Sequence, residues 1–336
     1  MKNKSKKVFL ILMAIPFLLG FVALLIGRYG VSGPEAFHAL WAMMSGNPVE
    51  INSNAALIIT EIRFPRIITG IAVGASLAVS GAAFQGLFCN PLVNSGILGV
   101  SAGAGFGAAL SILIFGQGNA TFLLAFLFGC VAVGMSYLVG RAYGNTSTIM
   151  LVLGGTVVSS IFGALISFLK YTADPFNQLP AITFWLMGSL ASASREHLLL
   201  TLIPMVAGIT GLYALRWRLN ILSMGDMEAQ SLGINVPLTK GAVVVCATLA
   251  TAGAVCVSGI VGWIGLIIPH IARMIFGSDN KIVIPASISL GAGFMILVDT
   301  LSRSMTGSEI PLGIITAILG GPFFIYLLKK TKGGGW

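Results

Sequence analysis

Residues 64–86 read FPRIITGIAVGASLAVSGAAFQG, a mostly apolar segment whose one charged side chain, Arg66, stands near its beginning. An α-helix needs about 20 apolar residues to cross the hydrocarbon core of a bilayer, and this segment is long enough. It is also rich in Gly, Ala and Ser, which let helix backbones approach closely in lipid. The segment therefore predicts a membrane-spanning helix that packs tightly against its neighbours.

The whole chain shares this composition. Of its 336 residues, 56% are hydrophobic and 9% are charged, whereas a soluble domain carries about 25% charged residues. The segments apolar enough to cross the membrane are 8–27, 64–86, 96–115, 121–140, 148–169, 197–215, 241–262, 264–276, 282–302 and 311–328. The eighth is short and contains Pro269 and His270. We expect an all-α polytopic membrane protein of about ten transmembrane helices, with residues 1–336 in a single transmembrane domain.

The distribution of basic residues predicts the orientation. Lys and Arg accumulate on the cytoplasmic side of membrane proteins, and placing the N-terminus in the cytoplasm leaves few of the 19 basic residues outside. Those outside are Arg28, Arg63, Arg66, Lys170, Arg195 and Arg303. Both termini are therefore expected in the cytoplasm. The net charge of +9 is then a consequence of topology, and nucleic-acid binding is not expected.

Three of the outer arginines stand out. Arg63 and Arg66 flank the entrance of the second span, and Arg303 ends the ninth. Their stems could reach lipid headgroups, and Arg303 could pair with Asp299 one helical turn away. Alternatively, they form an electropositive rim that docks an acidic partner, because complementary charge speeds encounter and fixes register. Spacing alone leaves both interpretations open.

Two short segments resemble each other. SLAVSGA at 76–82 lies in the second predicted span, and TLATAGA at 248–254 lies in the seventh. Since the two spans are five apart, they cross the membrane in opposite directions. Inverted repeats of this kind are typical of transporters.

Longer motifs connect the sequence to a known family. They are RFPR at 63–66, TG at 69–70, VGASLA at 73–78, SGA at 80–82, QG at 85–86, NPL at 90–92, LGVS at 98–101, GLIIPHIAR at 265–273, Asp299 with Arg303, EIPLG at 309–313 and TA at 316–317. In this order, and over nearly the whole chain, the sequence resembles the iron-chelate/cobalamin (FecCD-type) permease family of ABC importers.

The resemblance implies an inverted-repeat permease architecture of the type II, cobalamin-importer-like kind. It also implies a homodimer in a bacterial or archaeal cytoplasmic membrane, two cytoplasmic ATP-binding cassette subunits and an extracytoplasmic substrate-binding protein. The cargo would be a metal chelate, with ferric siderophore the commonest in the family and haem, cobalamin, or molybdate and tungstate as alternatives. ATP hydrolysis would belong to the partner subunits, and the sequence contains no G-x-x-x-x-G-K-[ST] phosphate loop.

The resemblance also assigns roles to three sets of residues. Docking of the binding protein falls on Arg63, Arg66 and Arg303. Coupling to the ATPase falls within the cytoplasmic loop 218–240, on Gly225, Asp226, Glu228, Ala229, Leu232 and Gly233. Pathway gates fall on Asn90, Leu92, Thr146 and Ser147.

Ordinary local structure offers other roles for some of these residues. Around Gly233 and Pro237 the loop predicts a short helix, a glycine turn and a second short helix. Asn90 and Pro91 could simply stop a helix, and Thr146 and Ser147 could cap the next one. Capping and gating are compatible.

Small residues and the one histidine of the short eighth segment suggest structural roles. Gly70-x-x-x-Gly74 and the repeat Gly99-x-x-x-Gly103-x-x-x-Gly107 predict close helix packing. His270 has no second histidine or carboxylate at ligand spacing, and the cysteines show no metal-ligand spacing. No catalytic residue, metal site or cofactor is therefore expected.

Two other classes of protein compete with an ATP-driven importer. An ion-coupled secondary transporter usually needs buried acidic residues, and only Asp299 lies near a membrane interior. An intramembrane enzyme would need a nucleophile or metal motif in a context that supports it. His-Glu-x-x-His is absent, and the one Gly-x-Ser-x-Gly match, from Gly99 to Gly103, falls inside the glycine repeat of an apolar segment.

Overall fold

The computed structural model describes residues 3–27, 29–45, 54–141 and 148–330. Within these ranges all regular structure is helical. The helices are α1 (Asn3–Leu25), α2 (Gly33–Ser45), α3 (Asn54–Leu57), a π-helical segment (Ile58–Arg63), α4 (Phe64–Leu87), α5 (Val100–Phe115), α6 (Asn119–Gly140), α7 (Thr148–Thr172), α8 (Gln178–Met187), α9 (Arg195–Leu222), α10 (Asp226–Ser231), α11 (Val236–Ser258), α12 (Ile264–Phe276), α13 (Asn280–Ser304) and α14 (Leu312–Lys330). The all-α prediction is confirmed.

Helices occupy all ten predicted membrane segments. In the described part of the chain, five are long and apolar enough to cross a bilayer: Asn54–Leu87, which contains α4, together with α6, α7, α11 and α13. Shorter apolar stretches lie in α1, α5, α12 and α14, and α9 has 28 residues. The predicted eighth segment coincides with α12, whose 13 residues extend only about 20 Å at 1.5 Å per residue.

The second span begins earlier than the sequence predicts. Helical structure starts at Asn54 and continues for 34 residues to Leu87, and the segment Ile58–Arg63 within it is π-helical. A π-helical turn shifts the side chains that follow it and often occurs at functional sites. Here it ends at Arg63, directly before the apolar segment that predicted the span.

One helix outside the ten predicted segments is α2. Ala36, Ala39 and Ala42 on one face of α2 are buried, whereas Phe37 and Trp41 are each 61% exposed. These two rings stack with their centroids 6.5 Å apart. Amphipathic helices with exposed aromatic rings are typical of membrane surfaces, and a 13-residue helix is too short to be found by a search for spans.

The centre of the bundle is α4, of which the apolar part is almost completely buried. Its small residues allow contact between backbones: a Cβ added to Gly74 would overlap the carbonyl oxygen of Gly291 in α13. A Cβ added to Gly81 would overlap the carbonyl oxygen of Gly265 in α12. The small-residue composition of this segment therefore serves helix packing, as predicted.

The second glycine repeat packs α5 against α6. A Cβ on Gly103 would overlap the carbonyl oxygen of Phe128, and one on Gly107 would overlap that of Leu124. Gly99 has a different role, because it precedes α5 with φ of 85°, a conformation that favours glycine. Close packing is thus confirmed for the last two glycines of the repeat.

Candidate functional site

The three predicted docking arginines lie together at one end of the bundle. Arg63 and Arg66 flank the start of α4, and Arg303 lies in the last turn of α13. With the carboxylates of Asp299 and Glu309 they form a group that we call the arginine cluster. The structure therefore brings together residues that are about 240 positions apart in the sequence.

Arg66 is the centre of the arginine cluster. Its Nε donates to Asp299 at 2.9 Å, and its two terminal nitrogens donate to the two oxygens of Glu309 at 2.7 and 2.9 Å. This two-pronged pairing matches the fork of a guanidinium to the geometry of a carboxylate. The predicted ion pair between Arg303 and Asp299 is also present, but at 3.8 Å, so Asp299 bonds mainly to Arg66.

Arg63 and Arg303 bind the end of α1. Arg63 donates to the carbonyl of Leu24 at 2.5 Å and to that of Tyr29 at 2.5 Å, and Arg303 donates to the carbonyl of Ala23. The last carbonyls of a helix have no partner within the helix and carry partial negative charge. Two cations therefore satisfy the carboxyl end of α1.

Burial distinguishes this cluster from the rim that the sequence suggested. Arg63, Arg66 and Arg303 are only 4%, 6% and 8% exposed. The more accessible member is Glu309, whose side chain is 33% exposed. Three positive charges stand against two carboxylates, so the cluster is cationic in sum while its arginine side chains point inward.

The predicted coupling loop lies at the opposite end of α4. The thiol of Cys89, just beyond that end, is 3.7 Å from the carbonyl of Ser223. The pKa of this thiol is raised, mainly because the thiol is partly buried and secondly because Asp226 is negatively charged. Because α9 continues to Leu222 and α11 begins at Val236, the loop proper spans 223–235. We call it the α10 loop.

A glycine turn closes α10 as the sequence predicted. Gly233 has φ of 80° and donates to the carbonyl of Gln230 at 2.9 Å, while Ile234 donates to that of Ala229 at 3.0 Å. These two bonds define a Schellman motif. The second predicted short helix is the first turn of α11, which Asn235 caps by accepting from Leu238 at 3.1 Å.

The α10 loop exposes apolar side chains. Met224, Met227 and Leu232 are 62%, 80% and 60% exposed, whereas Ala229 is fully buried. Exposed apolar groups beside polar ones are typical of protein-binding surfaces, and methionine adapts readily to a partner. Leu232 is among the predicted coupling residues, whereas Met224 and Met227 are not.

An ion pair fixes the α10 loop to the bundle. Lys240 is a buried residue, 2% exposed, and its Nζ lies 2.7 Å from Oδ2 of Asp226. Since Asp226 begins α10 and Lys240 lies in the first turns of α11, the pair holds the two helices together. Spacing along the chain did not indicate this pairing.

Two of the predicted gate residues line a cavity of about 320 Å³. Asn90 and Leu92 lie on one wall, and Thr148 and Ile149 at the start of α7 lie on the other. The side chain of Asn90 accepts from the amide of Leu92 at 2.9 Å, which gives the turn its shape. The other two predicted gate residues, Thr146 and Ser147, lie outside the described residues, directly before Thr148.

A buried glutamine connects this cavity to the rest of the bundle. Gln85 donates to the carbonyl of Val93 at 3.0 Å and to that of Gly265 at 3.3 Å, and it accepts from Arg273. It thereby ties the loop that follows α4 to α12. Gln85 and Arg273 belong to two separate family motifs in the sequence, and their contact is not evident from spacing along the chain.

One exposed face of α7 is polar but uncharged. Thr156, Ser160 and Ser167 are exposed, and each hydroxyl donates to a carbonyl of its own helix at 2.7, 2.9 and 3.0 Å. Spacings of four and seven residues place these side chains on the same side of a helix. The face therefore offers weak polarity without a fixed ion.

Within the described part of the chain, no group of three or more His, Cys, Asp and Glu side chains is placed to hold a metal ion. The candidate site therefore consists of the surfaces at the two ends of the bundle and the face of α7. A helical membrane bundle with these surfaces is typical of a membrane permease.

Comparison with known proteins agrees with this class. The model of the FecCD transport family matches residues 12–330. The chain is 40% identical over 314 residues to the molybdate import system permease protein MolB of Haemophilus influenzae, covering 94% of this chain and 93% of that protein. It is 42% identical over 282 residues to the probable iron chelatin transport system permease protein of Helicobacter pylori, covering 84% and 85%.

Solved structures show the same architecture. A metal-chelate type ABC transporter in an inward-facing conformation superimposes with a TM-score of 0.86 and 37% identity, covering 97% of this chain and 99% of that one. PsaBC from Streptococcus pneumoniae shares the fold alone, with a TM-score of 0.57 and 21% identity, covering 79% and 90%.

The chain belongs to the FecCD transport family. It is a multi-pass membrane protein and the permease subunit of an ABC importer for metal chelates or related substrates. Permease subunits of this family are transport components, and the predicted family and importer class are confirmed.

Proposed function

We propose that this permease imports a ferric siderophore as a homodimer, driven by two ATP-binding cassette subunits and supplied by an extracytoplasmic binding protein. Both termini lie in the cytoplasm, as the distribution of Lys and Arg indicates. The observation that supports transport of a bulky cargo is the exposed face of α7, whose hydroxyls are satisfied within their helix. A chelate could pass such a lining without a charged group to retain it.

Molybdate is the second candidate cargo, because the relative from Haemophilus influenzae is a molybdate permease at 40% identity. Uptake of radiolabelled iron siderophore, haem, cobalamin and molybdate in a deletion strain, with and without this gene, separates the candidates. We expect restoration by the siderophore alone. Restoration by molybdate alone would replace the proposed cargo and leave the importer class unchanged.

The energy source needs its own test. Import driven by ATP should stop when cellular ATP is depleted and should continue when an uncoupler collapses the proton gradient. The opposite pattern would indicate an ion-coupled secondary transporter.

For the arginine cluster we propose docking of an acidic surface of the binding protein. Since the arginines are buried, docking requires an acidic group of the partner to exchange with Glu309 on Arg66. Glu309 is suited to this exchange because its side chain is one-third exposed, at 33%. The carboxylate of Asp299, at 4%, stays in place.

Glu309→Gln tests this exchange without removing an arginine. It weakens the internal competitor, so the binding protein should dock several-fold more tightly at low salt, and the gain should shrink as salt screens the charges. The matched control is Glu61→Gln, which removes an exposed partner of Arg195 at 3.4 Å. If both variants dock like the wild type, the exchange is wrong.

For the α10 loop we propose contact with the ATPase through Met227 and Leu232, with Gly225, Asp226, Glu228, Ala229 and Gly233 shaping the helix that presents them. Met227→Cys should cross-link to the ATPase in a Cys89→Ser background, which removes the exposed thiol beside the loop. Lys281→Cys, in the first turn of α13, is the control. Equal cross-linking at both positions would contradict a specific contact.

For Asn90 and Leu92, with Thr146 and Ser147, we propose an inner gate. Leu92→Trp should fill part of the cavity beside α7 and slow uptake, while basal ATP hydrolysis by the complex stays unchanged. Leu138→Trp is the control, because Leu138 is 71% exposed on α6. Unchanged uptake by Leu92→Trp would argue against the gate.

A further inference from the structure

A groove of about 400 Å³ runs between α6 and α11, apart from every surface assigned above. It is lined by Cys130, Val133, Gly134, Tyr137, Gly241, Val244, Val245, Thr248 and Leu249. None of these side chains is charged. The hydroxyl of Thr248 donates to the carbonyl of Val244 at 2.7 Å, so it offers the groove no free donor.

Two glycines make the groove. A Cβ added to Gly134 would meet no heavy atom within 4 Å outside its own helix backbone, and one added to Gly241 would meet only the hydroxyl of Tyr137 at 3.6 Å. Neither glycine is therefore required for helix packing, unlike Gly74 and Gly81. The space that they leave is apolar and open along the side of the bundle.

The position of the groove along the helices matches one leaflet of a bilayer. Its lining extends from Tyr137 back to Cys130 in α6 and from Gly241 on to Leu249 in α11. At 1.5 Å per residue this is about 12 Å, close to the roughly 15 Å of hydrocarbon in one leaflet. The groove starts near the ends of both helices and points toward the middle of the membrane.

A cation lies at the mouth of the groove. Arg141 follows α6 directly, one helical turn beyond Tyr137, and it is exposed. Among the described residues, no ion pair joins a carboxylate to Arg141. Tyrosine favours the membrane–water boundary, and arginine binds phosphate through a planar fork of donors.

We propose that the groove between α6 and α11 binds one acyl chain of an anionic phospholipid, whose phosphate pairs with Arg141. Apolar walls, the length of one leaflet and a cation at the mouth are the features that this ligand requires.

Native mass spectrometry of the delipidated full-length permease, titrated with phosphatidylglycerol or phosphatidylcholine, tests the acyl-chain site. Gly134→Leu should weaken binding of both lipids about tenfold, as expected when about two methylene groups lose their contacts. Gly321→Leu in α14 is the matched control, because a Cβ there also meets nothing within 4 Å. Unchanged binding to Gly134→Leu would overturn the proposal.

The headgroup is tested separately. Arg141→Gln should weaken phosphatidylglycerol about fivefold, the effect of one basic residue near a membrane surface, and should leave phosphatidylcholine unchanged. Lys281→Gln removes a basic residue at another helix end and should leave both lipids unchanged. If Arg141→Gln and Lys281→Gln weaken phosphatidylglycerol binding equally, Arg141 contributes only to the general surface charge, and its pairing with the phosphate is overturned.

Photolabelling of the wild type keeps the proposal testable if Gly134→Leu fails to fold. Phosphatidylglycerol with a diazirine in its acyl chain should label peptides that contain 130–137 or 241–249, and unlabelled lipid should compete. Labelling elsewhere only would overturn the site. A change in oligomeric state of Gly134→Leu, with lipid binding intact, would instead make the groove an interface between copies and would also overturn it.

Discussion

The arginine cluster and the α10 loop lie at opposite ends of α4 and present opposite chemistry. In the cluster, Arg66 is 6% exposed and its donors are already used. In the loop, Met227 is 80% exposed and touches little. A partner can bind the loop directly, but at the cluster it must first displace a carboxylate. The charged residues that stand out in the sequence therefore belong to the arginine cluster, which is the less accessible of the two surfaces to a partner.

The largest effect expected from this difference is that of Arg66→Glu. It places a third carboxylate beside Asp299 and Glu309 in a buried site, and breaking a buried pair costs about 3–5 kcal/mol. We expect loss of folded protein, measured as yield and thermal unfolding in detergent. Met227→Glu should leave unfolding unchanged and impair only ATPase coupling. Equal stability of both variants would remove the distinction between the two ends.

A smaller effect is expected from Gly74→Ala, about two helical turns beyond Arg66 in α4. The new methyl group would overlap the backbone of Gly291, and overpacking costs about 1–3 kcal/mol. Thermal unfolding should shift down relative to Gly321→Ala, whose methyl group meets nothing within 4 Å. Identical shifts would show that the α4–α13 contact adapts without cost.

Asp226→Asn should have a smaller effect on stability than Gly74→Ala, because its consequences are confined to the α10 loop. It removes the carboxylate that pairs with buried Lys240 at 2.7 Å, so α10 should lose its fixed position while the bundle stays folded. Stimulation of ATP hydrolysis by the binding protein should fall several-fold, while Gln230→Ala, at an exposed position of the same helix, should behave like the wild type. Full stimulation in Asp226→Asn would show that the ion pair does not position the loop.

The smallest effect is expected from Asn90→Ala. It removes one exposed hydrogen bond to the amide of Leu92, worth about 1 kcal/mol. Proteolysis of the 88–99 turn should become faster, with the bundle unaffected. A larger loss, seen as global unfolding, would mean that this turn supports the core.

Much of the fold could be predicted because it depends on one-dimensional patterns. Apolar length located α7 at Thr148–Thr172, and glycine spacing anticipated the packing of Gly103 and Gly107 on α6. The glycine turn of the α10 loop was predicted from Gly233 followed by Pro237.

Other features depend on contacts between distant residues, which spacing does not show. The pairing of Arg66 with Glu309 spans 243 positions, and only the fold reveals that Asp299 bonds mainly to Arg66 and not to Arg303 one turn away. Exposure of Met227 and burial of Ala229 follow from how α10 rests on the bundle. The short amphipathic helix α2 was not predicted, because a search for membrane spans excludes helices of its length.

The backbone contact between Gly74 and Gly291 has a consequence for motion. Two helices that touch through backbone atoms, and that Arg66 and Asp299 also join at their ends, resist sliding past each other. During transport α4 and α13 should therefore move as one rigid body. Any hinge must then lie outside the contact between α4 and α13.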